Sequence, residues 1–141
     1  ARWRGMRRCV AESVRGGGDC GYVSALFGRR THLSMINSKN AGERQFAERA
    51  AVNAPIQGTS ADIIKRAMAR MPAALADAGL TGTRMLLQVH DELVFEVADA
   101  EVEAASKVIK TVMEGANLPA APLSVPLAVE IGTGASWGDA H

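Results

Sequence analysis

The sequence predicts an α+β fold, an antiparallel sheet backed by helices, on three observations. From Met85 to Val97 apolar and polar residues alternate at strand period around His90, Asp91 and Glu92, which reads as a tight β-hairpin. The stretches Ala41 to about Ala78 and Ala100 to about Glu114 instead carry apolar or small residues at helical spacing. A second pair of strand-like runs, Tyr22 to Leu26 and Thr31 to Met35, flanks Phe27-Gly28-Arg29-Arg30.

In chain order, residues 1–15 read as a helix stopped by Gly16-Gly17-Gly18, because consecutive glycines carry a large backbone entropy cost and no side chain to pack. The second hairpin follows, its two tip arginines facing phosphate or water. From Ala41 the small residues Ala47, Ala50, Ala51 and Ala54 form one face of a helix. Pro55 is expected to kink or interrupt it, since proline lacks the backbone donor and crowds the preceding turn. A further helix starts near Thr59 or Ser60, with Asp62 in its first turn, and continues to about Ala78 with Gly79 as its stop; Pro72 leaves a second kink possible.

In the central hairpin the odd positions Met85, Leu87, Val89, Leu93, Phe95 and Val97 are apolar, while Gln88, His90, Glu92 and Glu96 are even. Asp99 is placed to cap the helix that begins at Ala100. Gly115 to Pro122 is a loop, and Val125 to Ile131 reads as a final strand. Trp137 and the methionines read as core filling.

With 141 residues, 48% of them hydrophobic, the chain can bury one core. A net charge of +1 argues against a dedicated nucleic-acid-binding domain. The charge is unevenly spread, however: Arg2, Arg4, Arg7, Arg8, Arg15, Arg29, Arg30, Lys39, Arg44 and Arg49 precede residue 50, and most carboxylates lie from Asp77 onward. A basic half suits a phosphate backbone, and a one-sided solvated surface explains it equally well. Cys9 and Cys20 lack metal-ligand spacing and read as free thiols of a reducing compartment. With no signal peptide and no apolar run near bilayer length, the expectation is a soluble, cytoplasmic protein without membrane contact.

Two constellations carry chemistry. Asp91 and Glu92 sit between apolar strands, where a solvated turn normally supplies small residues. Carboxylates on a rigid hairpin suit Mg²⁺, which takes oxygen ligands and completes its shell with water and substrate phosphates; the competing reading is an ordinary polar turn. Arg49, Asn53 and Gln57 recur every four residues. Such side chains donate to purine N3 and pyrimidine O2 in the minor groove, acceptors nearly common to all base pairs, so they can check pair geometry without reading sequence. The competing reading is a solvated polar stripe.

The run Leu87-Gln88-Val89-His90-Asp91-Glu92-Leu93-Val94-Phe95-Glu96 resembles the C-terminal catalytic motif of the family A DNA polymerases. Gly21-Tyr22-Val23-Ser24-Ala25-Leu26-Phe27-Gly28-Arg29-Arg30 and the stretch from Glu48 to Lys65 resemble the same family in the same order, as does the ending Gly134-Ala135-Ser136-Trp137. The likeness spans residues 21–141. It implies a partial polymerase palm, residues 41–141, with an adjoining fingers-derived helix and hairpin in residues 1–40.

The activity so implied is nucleotidyl transfer from dNTP to a primer 3′-hydroxyl, in DNA replication and repair, with primer-template DNA as partner and a monomeric intact enzyme. Asp91 would be the metal-binding catalytic carboxylate for two Mg²⁺ ions, with Glu92 secondary. Arg49, Asn53, Gln57, Gln88 and His90 would contact DNA; His90 is a poor Mg²⁺ ligand. The family's other metal-binding aspartate and its nucleotide-binding fingers helix have no counterpart in this sequence. The expectation is therefore a C-terminal piece, inactive by itself. The alternative function is a non-catalytic DNA-binding or structural remnant.

Overall fold

The first helix does not stop at the glycine run. In the computed structural model, which describes residues 2–140 and side chains from Ala11 onward, α1 spans Arg2–Cys20 and passes through Gly16, Gly17 and Gly18. The residue that ends it is Gly21, held at φ 73°, whose N–H donates to the Gly17 carbonyl at 2.8 Å. A left-handed glycine just past the last turn is a common helix stop. Gly17 has a packing reason to be bare. A Cβ built there would lie 2.8 Å from Leu33 Cδ1 and 3.4 Å from Val23 Cγ1, so glycine lets the helix approach the apolar cluster. Entropy alone argued for a break; close approach overrides it.

The chain forms two compact units, Ala1–Ser60 and Ala61–His141. In the first, β1 (Tyr22–Ser24) pairs antiparallel with β2 (Arg30–His32), Val23 opposite Thr31. The strands are shorter than predicted. Arg30 lies in β2 rather than at the tip, its guanidinium 4.6 Å from the Tyr22 ring centroid. Gly28, at φ 86°, turns the connecting loop, and its N–H donates to the Ala25 carbonyl at 2.9 Å. Val23, Leu33, Ile36, Ala47 and Ala51 form the core of this unit, with Val14, Ala50 and Ala54 packed against it.

Helix α2 runs unbroken over Ala41–Asp77, through both Pro55 and Pro72, where a kink or interruption was expected. Each proline deletes one backbone hydrogen bond, at a cost of roughly 3 kcal/mol. Burial offsets it: Ala47 and Ala51 lie in the first core, and Ile64, Ala67, Met71 and Leu75 are buried farther along. Asn40 caps the start, its Oδ1 accepting the Gly42 N–H at 2.9 Å. Gly79, at φ 72°, follows the last turn as predicted, with the Leu80 N–H returning to the Leu75 carbonyl at 3.0 Å.

In the second unit, β3 (Thr83–Val89) and β4 (Glu92–Val97) form a two-stranded antiparallel sheet separate from β1–β2. It is backed by helices as predicted: Met85, Leu93, Phe95 and Val97 pack against a cluster of Met71, Leu75, Leu80, Ala105 and Ile109. Asp99 begins a 3₁₀ turn, Asp99–Glu101, and makes no side-chain cap; the α-helix proper, α3, is Val102–Glu114. Its end is held from α2. Arg66 donates to the carbonyls of Ala116 and Leu118 at 2.8 and 3.3 Å, and Arg70 to those of Gly115 and Leu118 at 3.1 and 2.6 Å.

The predicted strand Val125 to Ile131 does not form. The segment pairs with no neighbouring strand, and the Val129 N–H is taken by the Glu114 carboxylate at 3.1 Å. Trp137, expected in the core, sits in the 3₁₀ turn Trp137–Asp139 and is 47% exposed; Met35 is likewise surface-exposed. Cys20 is a free thiol, whereas Cys9 lies outside the described side chains. Among the described residues no helix is long and apolar enough to cross a membrane.

The glycine run yields a paired expectation. Gly16 faces open space, so Gly16→Ala should stabilise the helix by about 0.5–1 kcal/mol. Gly17→Ala must displace buried Leu33 and should instead destabilise by about 1–3 kcal/mol. Thermal melting of the two variants, moving in opposite directions, is the result that checks it.

Candidate active site

A hairpin whose strands alternate perfectly would put Leu87 and Val89 on the same face as Met85. The pairing register departs from that. Met85 lies opposite Phe95, but the next pairs are Leu87 with Val94, Gln88 with Leu93 and Val89 with Glu92, so Leu86 is one extra residue on β3. Such a bulge switches the parity of the strand beyond it. Gln88 therefore shares the face of Leu93 and Phe95, while Leu87 and Val89 share the other face with Val94 and Glu92. This explains why Leu86 and Leu87 are exposed. The strict alternation read from sequence holds for β4 and fails for β3 beyond Met85.

The pair Val89–Glu92 closes a two-residue loop, His90 and Asp91. Two-residue hairpins need positive φ at one or both loop positions, which is why glycine and asparagine dominate them. Here His90 takes that conformation, at φ 51°. The loop is thus strained at its first residue, and histidine is among the non-glycine residues that tolerate this best. The Gln88 side chain crosses to it: Nε2 donates to the His90 carbonyl at 2.7 Å. Gln88, His90, Asp91 and Glu92 are all exposed, so the four predicted residues gather at one solvent-facing tip.

The base of the hairpin is latched. The Glu101 carboxylate accepts the Gly82 N–H at 3.0 and 3.1 Å and the Thr83 hydroxyl at 2.8 Å, and Thr83 is buried. A Cβ on Gly82 would meet the Ala98 Cβ at 2.8 Å, so the crossing requires glycine. Sequence reasoning missed Glu101 and the Gln88–His90 bond. The consecutive apolar residues Met85-Leu86-Leu87, which break the alternation, were the available signal for the bulge.

Among the described residues no three His, Cys, Asp or Glu side chains cluster as a complete metal site. The tip nonetheless suits one kind of cation. Asp91 offers an exposed carboxylate with no intramolecular partner among the described residues. Mg²⁺ is held by one or two carboxylates together with water and phosphate oxygens, and this donor set fits that pattern.

Arg49, Asn53 and Gln57 lie on α2 in the other unit, all exposed. Because the helix is continuous, Gln57 is not set beyond a kink, as had been expected, but continues the series. Four-residue steps drift by about 40°, so the three share one face over about 12 Å of axis. None of the three has a hydrogen-bond or ion-pair partner among the described residues. Next to them, Thr59 Oγ1 accepts the Leu26 N–H at 3.0 Å and donates to the Pro55 carbonyl at 2.6 Å, tying the end of β1 to α2.

Residues 1–139 match the model of DNA polymerase family A. The chain is similar to the DNA polymerase I of Rhizobium leguminosarum, 48% identical over 141 residues that cover 99% of this chain and 14% of that protein. It is 46% identical to the DNA polymerase I of Pseudomonas aeruginosa, covering 100% of this chain and 15% of the relative. The chain thus spans about one seventh of these curated relatives' length. A solved structure, the POL domain of Pol1 from M. smegmatis in complex with DNA primer-template and dNTP, superposes with a TM-score of 0.90 at 45% identity, covering 99% of this chain and 24% of that one.

The latch is directly testable. Glu101→Ala strands a buried Thr83 hydroxyl and the Gly82 N–H, and should cost about 1–3 kcal/mol. Glu101→Gln, which keeps one acceptor oxygen, should cost less. Equilibrium denaturation ranks the two, and equal stability of wild type and the Ala variant would contradict the latch.

Proposed function

Since the chain belongs to DNA polymerase family A, we propose that it supplies part of the active site of an enzyme that extends a primer on a DNA template, in replication and repair. The observation that carries this reading is the exposed Asp91 carboxylate on a two-residue loop whose first residue is held at positive φ. The substrates are primer-template DNA and dNTP, the partners named for the similar M. smegmatis domain. On this reading residues 41–141 belong to the palm and 1–40 to adjoining fingers structure. The intact enzyme would be a cytoplasmic monomer, in keeping with the exposed free thiol of Cys20.

In the reaction, the primer 3′-oxygen forms a bond to the α-phosphorus of the dNTP as the bond to the β-phosphate oxygen breaks and pyrophosphate departs. Bound Mg²⁺ supplies the positive charge that favours the deprotonated 3′-oxygen and offsets negative charge on the departing phosphates. Asp91 would hold it, with Glu92 as a nearby secondary carboxylate. Strands and a short loop suit this work, since a carboxylate on a regular element is held more closely than one on a long loop.

Arg49, Asn53 and Gln57 would donate to minor-groove acceptors of the primer-template. Their span of about 12 Å matches three to four base steps of about 3.4 Å. A mispaired terminus moves those acceptors, and the donors then lose their partners. His90 and Gln88, at the tip, would lie at the primer terminus.

Two outcomes are expected of the intact polymerase. Asp91→Asn keeps the shape and removes the charge, and should lower single-turnover incorporation at least about a hundredfold with DNA affinity preserved. Glu92→Gln should be milder; near wild-type incorporation by the Asp91 variant would refute the metal assignment. Alanine at Asn53 or Gln57 should weaken extension of matched primers by about 1 kcal/mol, and at Arg49 by about 1.5–3 kcal/mol, with melting temperature nearly unchanged. A large fall in melting temperature with normal extension would make the stripe structural.

A further inference from the structure

We propose that Gln88 is a positioning residue, whose carboxamide fixes the His90–Asp91 peptide and so holds the Asp91 carboxylate where a cation is bound. This rests on the reading of Asp91 as the metal-holding residue. Three observations converge on it. The Gln88 Nε2 donates to the His90 carbonyl at 2.7 Å. His90 is the first residue of a two-residue loop and sits at φ 51°, a conformation that non-glycine residues adopt rarely and leave readily. The bulge at Leu86 sets Gln88 on the face of Leu93 and Phe95, the side of the hairpin that packs on the helices.

The physical lever is peptide planarity. The His90 carbonyl oxygen and the Asp91 nitrogen and Cα lie in one rigid plane, so anchoring that oxygen fixes the direction in which Asp91 leaves the backbone. A bond from two residues upstream, on a paired strand, transmits the order of the strand to the loop. The carboxamide has two N–H donors and one oxygen; one donor is engaged by His90 and the remainder stay available to DNA. Gln88 can therefore support the cation site while touching the minor groove, and the two tasks separate experimentally.

In the intact polymerase, Gln88→Met keeps the length without a donor, and Gln88→Lys restores a donor. Single-turnover incorporation is measured against Mg²⁺ concentration, together with primer-template affinity and the ratio of matched to mismatched extension. Positioning requires that Gln88→Met raise the Mg²⁺ concentration for half-maximal rate by about fivefold, the equivalent of one hydrogen bond, and that Gln88→Lys recover most of the shift. DNA affinity and the mismatch ratio should change much less. An unaltered Mg²⁺ dependence in the Met variant overturns the proposal, as does a loss confined to DNA affinity or to the mismatch ratio. If the Met variant melts early, Gln88→Asn, too short to reach His90, must show the same Mg²⁺ shift, and its absence is equally fatal. Asp91→Asn in the same assay separates the two ideas. Retained activity there removes the metal reading itself, whereas an inactive Asp91 variant beside a Gln88 variant with normal Mg²⁺ dependence removes the positioning role alone.

Discussion

Burial of one face of the β3–β4 hairpin is the constraint on which the rest of the second unit depends. A two-stranded hairpin is marginal in water, and this one acquires its order from Leu93, Phe95, Val97 and Met85 resting on Met71, Leu75, Ala105 and Ile109. Once that face is committed, the strand register is no longer free, because a slip by one residue would turn the apolar set to solvent. The tip is then carried outward on a fixed support. Asp91 can be exposed and still be held, which a carboxylate on a long surface loop could not be.

The same logic explains which features were legible in the sequence. The hairpin tip was visible because apolar runs flanked His90, Asp91 and Glu92, and the helical spacing of α3 was visible because its buried face includes Ala105 and Ile109. Gly79 was a readable stop because nothing in its surroundings competes with its turning preference. Gly16-Gly17-Gly18 misled because local propensity there is overridden by packing: only the fold brings Leu33 and Val23 against Gly17. Pro55 and Pro72 misled for a related reason, the local cost being outweighed by buried neighbours along a 37-residue helix.

The candidate site was legible by residue type more than by geometry. Arg49, Asn53 and Gln57 announce themselves by their spacing, and the continuous helix makes that spacing more regular than an interrupted one would have been. Gln88 was placed by parity, and parity is what a bulge alters, so its face was misread although its membership of the tip was not. Glu101 carried no signal at all, since its partners Gly82 and Thr83 lie 19 and 18 positions away. The segment Val125 to Ile131 shows the converse case: strand-like composition without a ladder to join remains an extended chain.

The extra residue at Leu86 has a bearing on how this strand can vary in length. Beyond it, the facing of every β3 side chain is set by an odd offset, so losing a single residue at the bulge would return Gln88 to the outer face while leaving the apolar contacts of Met85 undisturbed. Removal of one residue nearer the tip would instead shorten the closure around His90 and Asp91. Single-residue insertions and deletions in β3 are therefore not equivalent, and natural length changes here should be confined to the bulge or occur in pairs.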